Sequence, residues 1–260
     1  MSGGRLRVER EGPVGRLVLD NPSHRNAISA EMWRAIPKAL AEFDADASVR
    51  CVVIRGEGTT AFAAGADISE FESNRSTESQ VKAYEAATSA AHLAIESSPK
   101  PVIALIHGYC VGGGLAVALS CDLRYADQSS RFAIPAARLG VGYGVRGTNR
   151  LVATVGHAAA REIMFSARRY GADEALAVGL VNRVLPDAEL DAYVHGVAIE
   201  LAQNAPLTIT ASKAVINALV EGQGDFSVAE AAVARCMNSD DYIEGRRAFM
   251  DKRTPAFKGK

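Results

Sequence analysis

The sequence predicts an α/β protein in which strand–strand–helix units repeat over residues 1–185 and a helical region, residues 186–260, follows. Three observations lead there. Apolar runs of strand length recur between alanine-rich or amphipathic segments of helical length. After Gly147 the pattern becomes almost wholly helical. The 260 residues, 48% of them hydrophobic, suffice for one large core with a smaller appendage.

Residues 6–11 and 15–20 alternate around EGPVG, the pattern of two short strands joined by a turn. Ser29 is placed to cap a helix running to about Phe43, with Met32, Ile36, Leu40 and Phe43 on one stripe. Residues 51–55 form an apolar strand stopped by GEG, and residues 76–97 an alanine-rich helix stopped by SSPKP. Another buried strand spans residues 101–106; GYCVGGG breaks it, and residues 115–120 allow only a short buried helix. Residues 123–126 and Arg131–Ala133 return as strands. Segments 150–154, 158–165 and Ala172–Ala177 read as short helices and 181–185 as one more strand. Three or four helices follow Asp187, broken at Pro206 and at EGQGD.

A formal charge of −1 speaks against a broad basic surface for nucleic acid. The five histidines show no HxxxH or related ligand spacing, so no metal site is expected. Cys51, Cys110, Cys121 and Cys236 form no CxxC, and three of them sit among apolar neighbours, which reads as buried thiols in a reducing compartment. The opening MSGGRLRVEREG lacks the apolar core of a signal peptide, and no apolar run approaches a membrane span. A cytoplasmic protein with neither nucleic-acid nor membrane partner is expected.

Two glycine-rich stretches carry the functional question. Gly142, Gly144 and Gly147 satisfy G-x-G-x-x-G, but a dinucleotide site needs that motif directly after a strand, and PAARLG, with its proline and arginine, precedes it here. The glycines read better as a loop passing close to something. VGGGLAVALSCD, residues 111–122, differs: a strand ends, glycines permit unusual dihedrals, and an apolar helix begins. Unpaired N–H groups of a helix N-terminus then gather at one point. No lysine or hydroxyl follows as in a phosphate loop, so a developing oxyanion is the better guest. Tight helix–sheet packing is the alternative use of the glycines. TTAFAAGADISEF, residues 59–71, also follows a strand, with small residues, a glycine and a short helix expected from Asp67. Two such turns can aim two N–H donors at one oxygen, and a thioester enolate suits two neutral donors.

LDNPSHRNAIS, AFAAGADI, PVIALIHGYCVGGGLAVALSCDLRYA, FAIPAARLGVGYGVRGTNRL, AVGLVNRVLP and EGRRAFMDKRTPAFKGK together make the chain resemble the enoyl-CoA hydratase/isomerase, or crotonase, superfamily over nearly its whole length. The resemblance implies a crotonase-like spiral of ββα units with a C-terminal helical region that serves oligomerisation and covers CoA. It implies a homotrimer or a dimer of trimers, and an acyl-CoA substrate with no metal and no redox cofactor. The backbone N–H groups of Ala66 and Gly113 are its implied oxyanion donors. Implied CoA contacts fall on Ala64, Ala66, Asp67 and Ile68, on Arg25 near the phosphates, and on Phe249 and Lys252 of the same or a neighbouring subunit. From the residues alone, Arg25 and Lys252 read equally as solvated surface charges.

The resemblance has a gap where hydratases of the family carry their acid–base pair. One glutamate lies two residues beyond the glycine triplet, where Ala116 stands here; the other follows the proline of F-x-x-P-E, where Ala136 stands. A further acidic position of dienoyl-CoA isomerases falls on Gly144. A general acid or base contributes roughly 10²–10⁴-fold. Glutamate-driven hydration is therefore expected to be slow, and base-free chemistry such as decarboxylation is favoured, since departing CO₂ itself generates the enolate. LGVGY resembles the LGVPY of methylmalonyl-CoA decarboxylases, which implies that Tyr143 meets a substrate carboxylate; those relatives carry a histidine at the position of Ala66. From the residues alone, Tyr143 reads equally as a packed aromatic with its hydroxyl on a backbone carbonyl. Arg146 reads as a partner for a substrate carboxylate or as a solvated charge. His107 reads as a satisfied loop histidine, Asp122 and Arg124 as a structural pair, and Glu70 and Glu72 as facing out unless a flipped helix brings one in. A weak enoyl-CoA hydratase or isomerase and a non-catalytic acyl-CoA binder are the alternative functions.

Overall fold

Three strand-length runs, at residues 51–56, 102–106 and 123–127, become strands of one sheet, and the few residues after each become a strand of a second. The computed structural model describes residues 4–67, 70, 76–222 and 224–260. The chain runs through Arg5–Glu11 (β1), Val14–Asp20 (β2), Ala30–Ala45 (α1), Cys51–Gly56 (β3), Ala61–Ala63 (β4), Glu78–Ser97 (α2), Val102–Ile106 (β5), Tyr109–Val111 (β6), Gly113–Ser120 (α3), Leu123–Asp127 (β7) and Arg131–Ala133 (β8). It continues through Ala136–Leu139 (α4), Val145–Ser166 (α5), Tyr170–Gly171 (β9), Ala172–Ala177 (α6), Arg183–Leu185 (β10), Leu190–Gln203 (α7), Pro206–Glu221 (α8), Ser227–Met237 (α9) and Asp240–Asp251 (α10). The larger sheet has the order β1-β2-β3-β5-β7-β10, the smaller β4-β6-β8-β9. Only β1 in the larger sheet and β9 in the smaller pair antiparallel to their neighbours.

The larger sheet is buried on both faces. Val52, Ile54, Val102, Ala104 and Ile106 point into the main core with Ile36, Leu40, Ile95 and Leu115 from the helices. The alternate residues Cys51, Val53, Ile103 and Leu105 meet Leu190, Val194 and Ala198 of α7. Double-sided burial is why these strands read as unbroken apolar runs. It also makes the first helix of the C-terminal region part of the sheet's own core.

Local rules set the helix starts. Ser29 Oγ accepts from Met32 N–H at 3.2 Å at the head of α1, as its position predicts. Thr77 and Gln80 form a reciprocal capping box on α2. Helix α5 carries a left-handed break at Gly156, between the two segments the sequence separates.

The differences from expectation are local. GYCV, read as a break, contains β6, and β4 and β9 were not predicted; strands of two or three residues carry no usable period. Asp122 does not pair with Arg124. It accepts from Lys213 Nζ at 2.8 Å and from Val102 N–H at 2.7 Å. The Arg124 guanidinium instead donates to the carbonyls of Leu180, Ala118 and Cys121 at 2.9, 3.3 and 2.8 Å. Cys51, Cys110 and Cys121 are buried and Cys236 is half-buried. Among the described residues no helix is long and apolar enough to cross a membrane.

His107, just past β5, is 3% exposed, with Nδ1 2.7 Å from Asp127 Oδ2 and Nε2 2.6 Å from Asp191 Oδ2. Arg55 also pairs with Asp191. Burial opposes charge on the ring, but the bonds to Asp127 and Asp191 outweigh it and raise the pKa to about 9. The imidazolium thus fastens β5 and β7 to the first turn of α7. An unfolded histidine titrates near about 6.5. The stabilisation is therefore complete below that pH and disappears as the pH rises through about 9. Thermal melts should show Tm falling across this window by the equivalent of about 2–3 kcal/mol, and His107→Gln should flatten the fall. A wild-type Tm constant through the window would mean that the ring is not charged.

Candidate active site

Two turns leave the smaller sheet side by side. After β4 the chain passes through Ala64, Gly65 and Ala66; after β6 it passes through Gly112 into α3. Gly65 has φ 119° and Gly112 φ 53°, conformations that favour glycine. A Cβ on Gly65 would stand 3.9 Å from Gly113 N, and one on Gly113 would stand 3.4 Å from Ala66 N. On Gly114 a Cβ would fall 2.3 Å from the carbonyl oxygen of Ala63, so no side chain fits there. This contact explains why α3 begins at Gly113 and not at residue 115: the glycines that read as breakers are its first turn, packed on β4.

Gly113 is the first residue of α3, so its N–H has no intrahelical acceptor. Around Ala66, Ile28 N–H donates to Gly65 O at 2.8 Å and Asp67 N–H to Ile28 O at 3.0 Å. The Ala66 N–H itself meets no acceptor among the described residues. Ala66 and Gly113 are both partly exposed. Two free donors this close can share one anionic oxygen.

The surroundings hold these turns in place. Ala64 N–H donates to Arg25 O at 3.0 Å. Arg25, at φ 51°, lays its exposed guanidinium 5.0 Å from the Tyr109 ring centroid, and Arg169 reaches 5.8 Å from the same ring. Arg169 was not singled out from sequence. Asp67 is 8% exposed and accepts from Asn21 Nδ2 at 3.2 Å, so its carboxylate braces the turn. Ile68 and Glu72 lie outside the described residues. Glu70, expected to face out, turns inward and accepts from Ala30 N–H at 2.8 Å at the head of α1. Phe249, 83% exposed, and Lys252, the left-handed cap of α10, stand on the last helix and bond to neither turn.

Ala116 lies one turn beyond Gly113 and is partly exposed. Ala136, 8% exposed, follows Pro135, whose Cδ would be 3.9 Å from a Cβ on Gly112. The G-x-G-x-x-G run follows α4, a helix and not a strand, so it lacks the setting of a dinucleotide site. Its last glycine has another use: a Cβ on Gly147 would stand 2.8 Å from Tyr143 Cε1. The Tyr143 ring packs on the core, and its hydroxyl is buried without a hydrogen-bond partner among the described residues, so none of their backbone carbonyls holds it. Burial pushes its pKa up to about 12. Arg146 is engaged, with Nε 3.0 Å from buried Glu96 and Nη2 3.5 Å from Glu221.

Four further residues complete this side. Trp33 Cζ2 would be 3.3 Å from a Cβ on Gly113, and Trp33 Nε1 donates to Tyr84 OH at 2.9 Å. The Trp33 and His92 rings lie 5.3 Å apart, and His92 Nδ1 is 3.1 Å from Ser120 Oγ. The available signal was His92 and Glu96, one turn apart on an otherwise alanine-rich helix.

A spiral of ββα units whose adjoining turns each leave an N–H without an acceptor among the described residues defines the class of α/β protein to which this fold belongs. The chain belongs to the enoyl-CoA hydratase/isomerase (crotonase) superfamily, whose sequence profile matches residues 9–260. It is 33% identical over 248 residues to a short-chain-enoyl-CoA hydratase of Clostridium acetobutylicum, covering 95% of this chain and 94% of that one. It is 33% identical over 266 residues to a peroxisomal Delta(3,5)-Delta(2,4)-dienoyl-CoA isomerase of Arabidopsis thaliana, covering 97% and 95%. The crystal structure of an enoyl-CoA hydratase/carnithine racemase from Magnetospirillum magneticum superposes with a TM-score of 0.93 at 38% identity, covering 98% and 96%.

Proline is tolerated at the first position of a helix, so Gly113→Pro deletes one donor without breaking α3, although Trp33 and the Ala66 turn must give slightly to admit its Cβ. The variant should stay folded, bind acyl-CoA more weakly by calorimetry, and lose about 10²–10³ in turnover. Undiminished turnover would remove Gly113 from the site.

Proposed function

We infer that this member of the family binds an acyl-CoA with its thioester oxygen between the N–H groups of Ala66 and Gly113. The enolate arises by loss of CO₂ from the acyl group, without a glutamate base. The observation that carries this reading is the Tyr143 hydroxyl, a buried donor with no partner among the described residues, in a chain with alanine at positions 116 and 136. Leaving such a hydroxyl unsatisfied costs about 1–3 kcal/mol, which a substrate oxygen would offset. With its pKa pushed up to about 12, Tyr143 is neutral and donates. It orients the carboxylate. As CO₂ departs, its bonding pair passes to the α-carbon and the thioester oxygen, where the two N–H groups meet it.

Other features fit the same reading. Arg25 and Arg169, flanking Tyr109, suit the phosphates of CoA. The exposed apolar side chains of the last helices, among them Ile216, Leu219, Val228, Phe249 and Met250, suit burial in a homotrimer or dimer of trimers, where Phe249 and Lys252 would cover CoA. The chemistry calls for neither a metal nor a redox cofactor.

The names of the relatives favour hydration or double-bond isomerisation as the second reading. If the two alanines mark lost acid–base groups, crotonyl-CoA hydration should run at least about 10² slower than in a relative with both glutamates. Ala116→Glu with Ala136→Glu should raise it. A wild-type rate equal to that of such a hydratase would sink the base-free reading. Absence of turnover with every acyl-CoA that binds would make the protein a carrier.

Tyr143→Phe tests the decarboxylation directly. It removes a hydroxyl that has no partner in the free protein, so Tm should be unchanged or slightly raised. Losing its bond to a charged carboxylate, worth about 1.5–3 kcal/mol, should cut turnover of malonyl- or methylmalonyl-type CoA esters roughly ten- to over a hundredfold. Unchanged turnover would assign Tyr143 to packing.

A further inference from the structure

We propose that His92 is the catalytic residue that carries the proton to and from the α-carbon of the bound acyl group. The proposal rests on the enolate reading above but not on decarboxylation.

The tautomer of the ring is assigned from its neighbours. Ser120 has one hydroxyl proton and two pure acceptors in reach, Glu96 Oε1 at 3.3 Å and Ala116 O at 3.1 Å. With that proton on one of them, Oγ is free to accept from His92 Nδ1–H across 3.1 Å, and this is the tautomer the proposal assigns. Nε2 is left with its lone pair and makes no hydrogen bond among the described residues. Glu96 in turn is fixed by Arg146 Nε at 3.0 Å and Arg150 Nη2 at 3.1 Å. The result is an oriented imidazole base: guanidinium pair, carboxylate, serine, ring.

Its position fits the task. Trp33 joins His92 to the first residue of α3, and Ser120 is one turn beyond Ala116 on that helix. Ala116, partly exposed between them, offers only a methyl group. On the far side, Glu96, Ser120 and Arg150 line a cavity of about 540 Å³ with Asn182 and Lys213, a polar space through which protons can exchange with water.

The charged and titratable groups around the ring are Glu96 and Tyr84 from its own helix and Arg146 and Arg150 from α5; α1 and α3 contribute the uncharged Trp33 and Ser120. Burial, with the Arg146 charge second, holds the His92 pKa at about 4, so the ring is neutral and able to accept. In the step proposed, the Cα–H bond breaks and its electron pair enters the enolate held by Ala66 and Gly113. The proton goes to Nε2, and the new imidazolium faces the new anion. The reverse step returns a proton to the α-carbon. After loss of CO₂ the same return quenches the enolate, with the proton taken from water.

The test is exchange of the α-hydrogens of butyryl-CoA in D₂O, followed by proton NMR, beside calorimetry of butyryl-CoA binding. The wild type should exchange them. His92→Gln should bind with unchanged affinity but exchange at least about 10² more slowly, and added imidazole should restore part of the exchange in His92→Ala. Ser120→Ala should slow exchange less and shift its pH profile, because the ring loses its Nδ1 acceptor. Wild-type exchange rates in His92→Gln would overturn the proposal, and so would a wild type that binds butyryl-CoA without exchanging it. A wild type that binds no acyl-CoA would overturn the enolate reading itself, and this proposal with it.

Discussion

The approach of the first turn of α3 to β4 is the contact on which the site depends. A Cβ on Gly114 would meet the Ala63 carbonyl oxygen at 2.3 Å, so the helix can enter there only as glycine. That contact sets the distance between the two turns, because β4 and β6 already pair in parallel, with Ala61 beside Tyr109 and Ala63 beside Cys110. The N–H groups of Ala66 and Gly113 are therefore placed by strand pairing between successive ββα units. Neither turn makes the site alone. This is why the rigid part of the fold and the part proposed to hold the anion are the same residues.

The long strands and the cap of α1 were legible in the sequence, because each is decided by neighbours in the chain. Residues 51–55 and 101–106 are apolar at every position facing a core, and Ser29 caps the helix that follows it. The glycine turns were legible because backbone geometry restricts residue type there. What failed depends on partners far away in sequence. Asp122 bonds to Lys213, 91 positions on, and not to Arg124 two positions on. Glu70 turns inward because the head of α1, 40 positions earlier, presents an unsatisfied N–H. Trp33, His92 and Ser120 come from three helices, and no spacing joins them.

Three carboxylates of the described residues around the turns already have partners. Asp67 accepts from Asn21, Glu70 from the head of α1, and Glu96 holds Arg146 and Arg150. Arg146 consequently has no unspent charge for a substrate carboxylate. The groups left over are neutral: two backbone N–H donors, the Tyr143 hydroxyl and the imidazole of His92. The fold keeps its strong charge pairing elsewhere, at His107 between Asp127 and Asp191, where it fastens α7 to the sheet.

Magnitudes show why a neutral pocket suits the proposed reaction. A general base worth 10²–10⁴ in rate corresponds to about 3–5 kcal/mol of barrier. A resident carboxylate about 4 Å from a substrate carboxylate would repel it by about 4 kcal/mol at an effective dielectric constant near 20. For a substrate that supplies its own leaving carboxylate, the glutamate would contribute no needed base and would add that repulsion to binding. The same repulsion would then act on the enolate. Alanine at positions 116 and 136 removes both penalties. Neutral donors have no such cost before the anion forms and gain their full interaction once it does. A neutral imidazole completes the set, since it becomes a cation only when it takes a proton and leaves an anion opposite. On that proposal, alanine at positions 116 and 136 and a Tyr143 hydroxyl unpartnered among the described residues are two expressions of one electrostatic requirement.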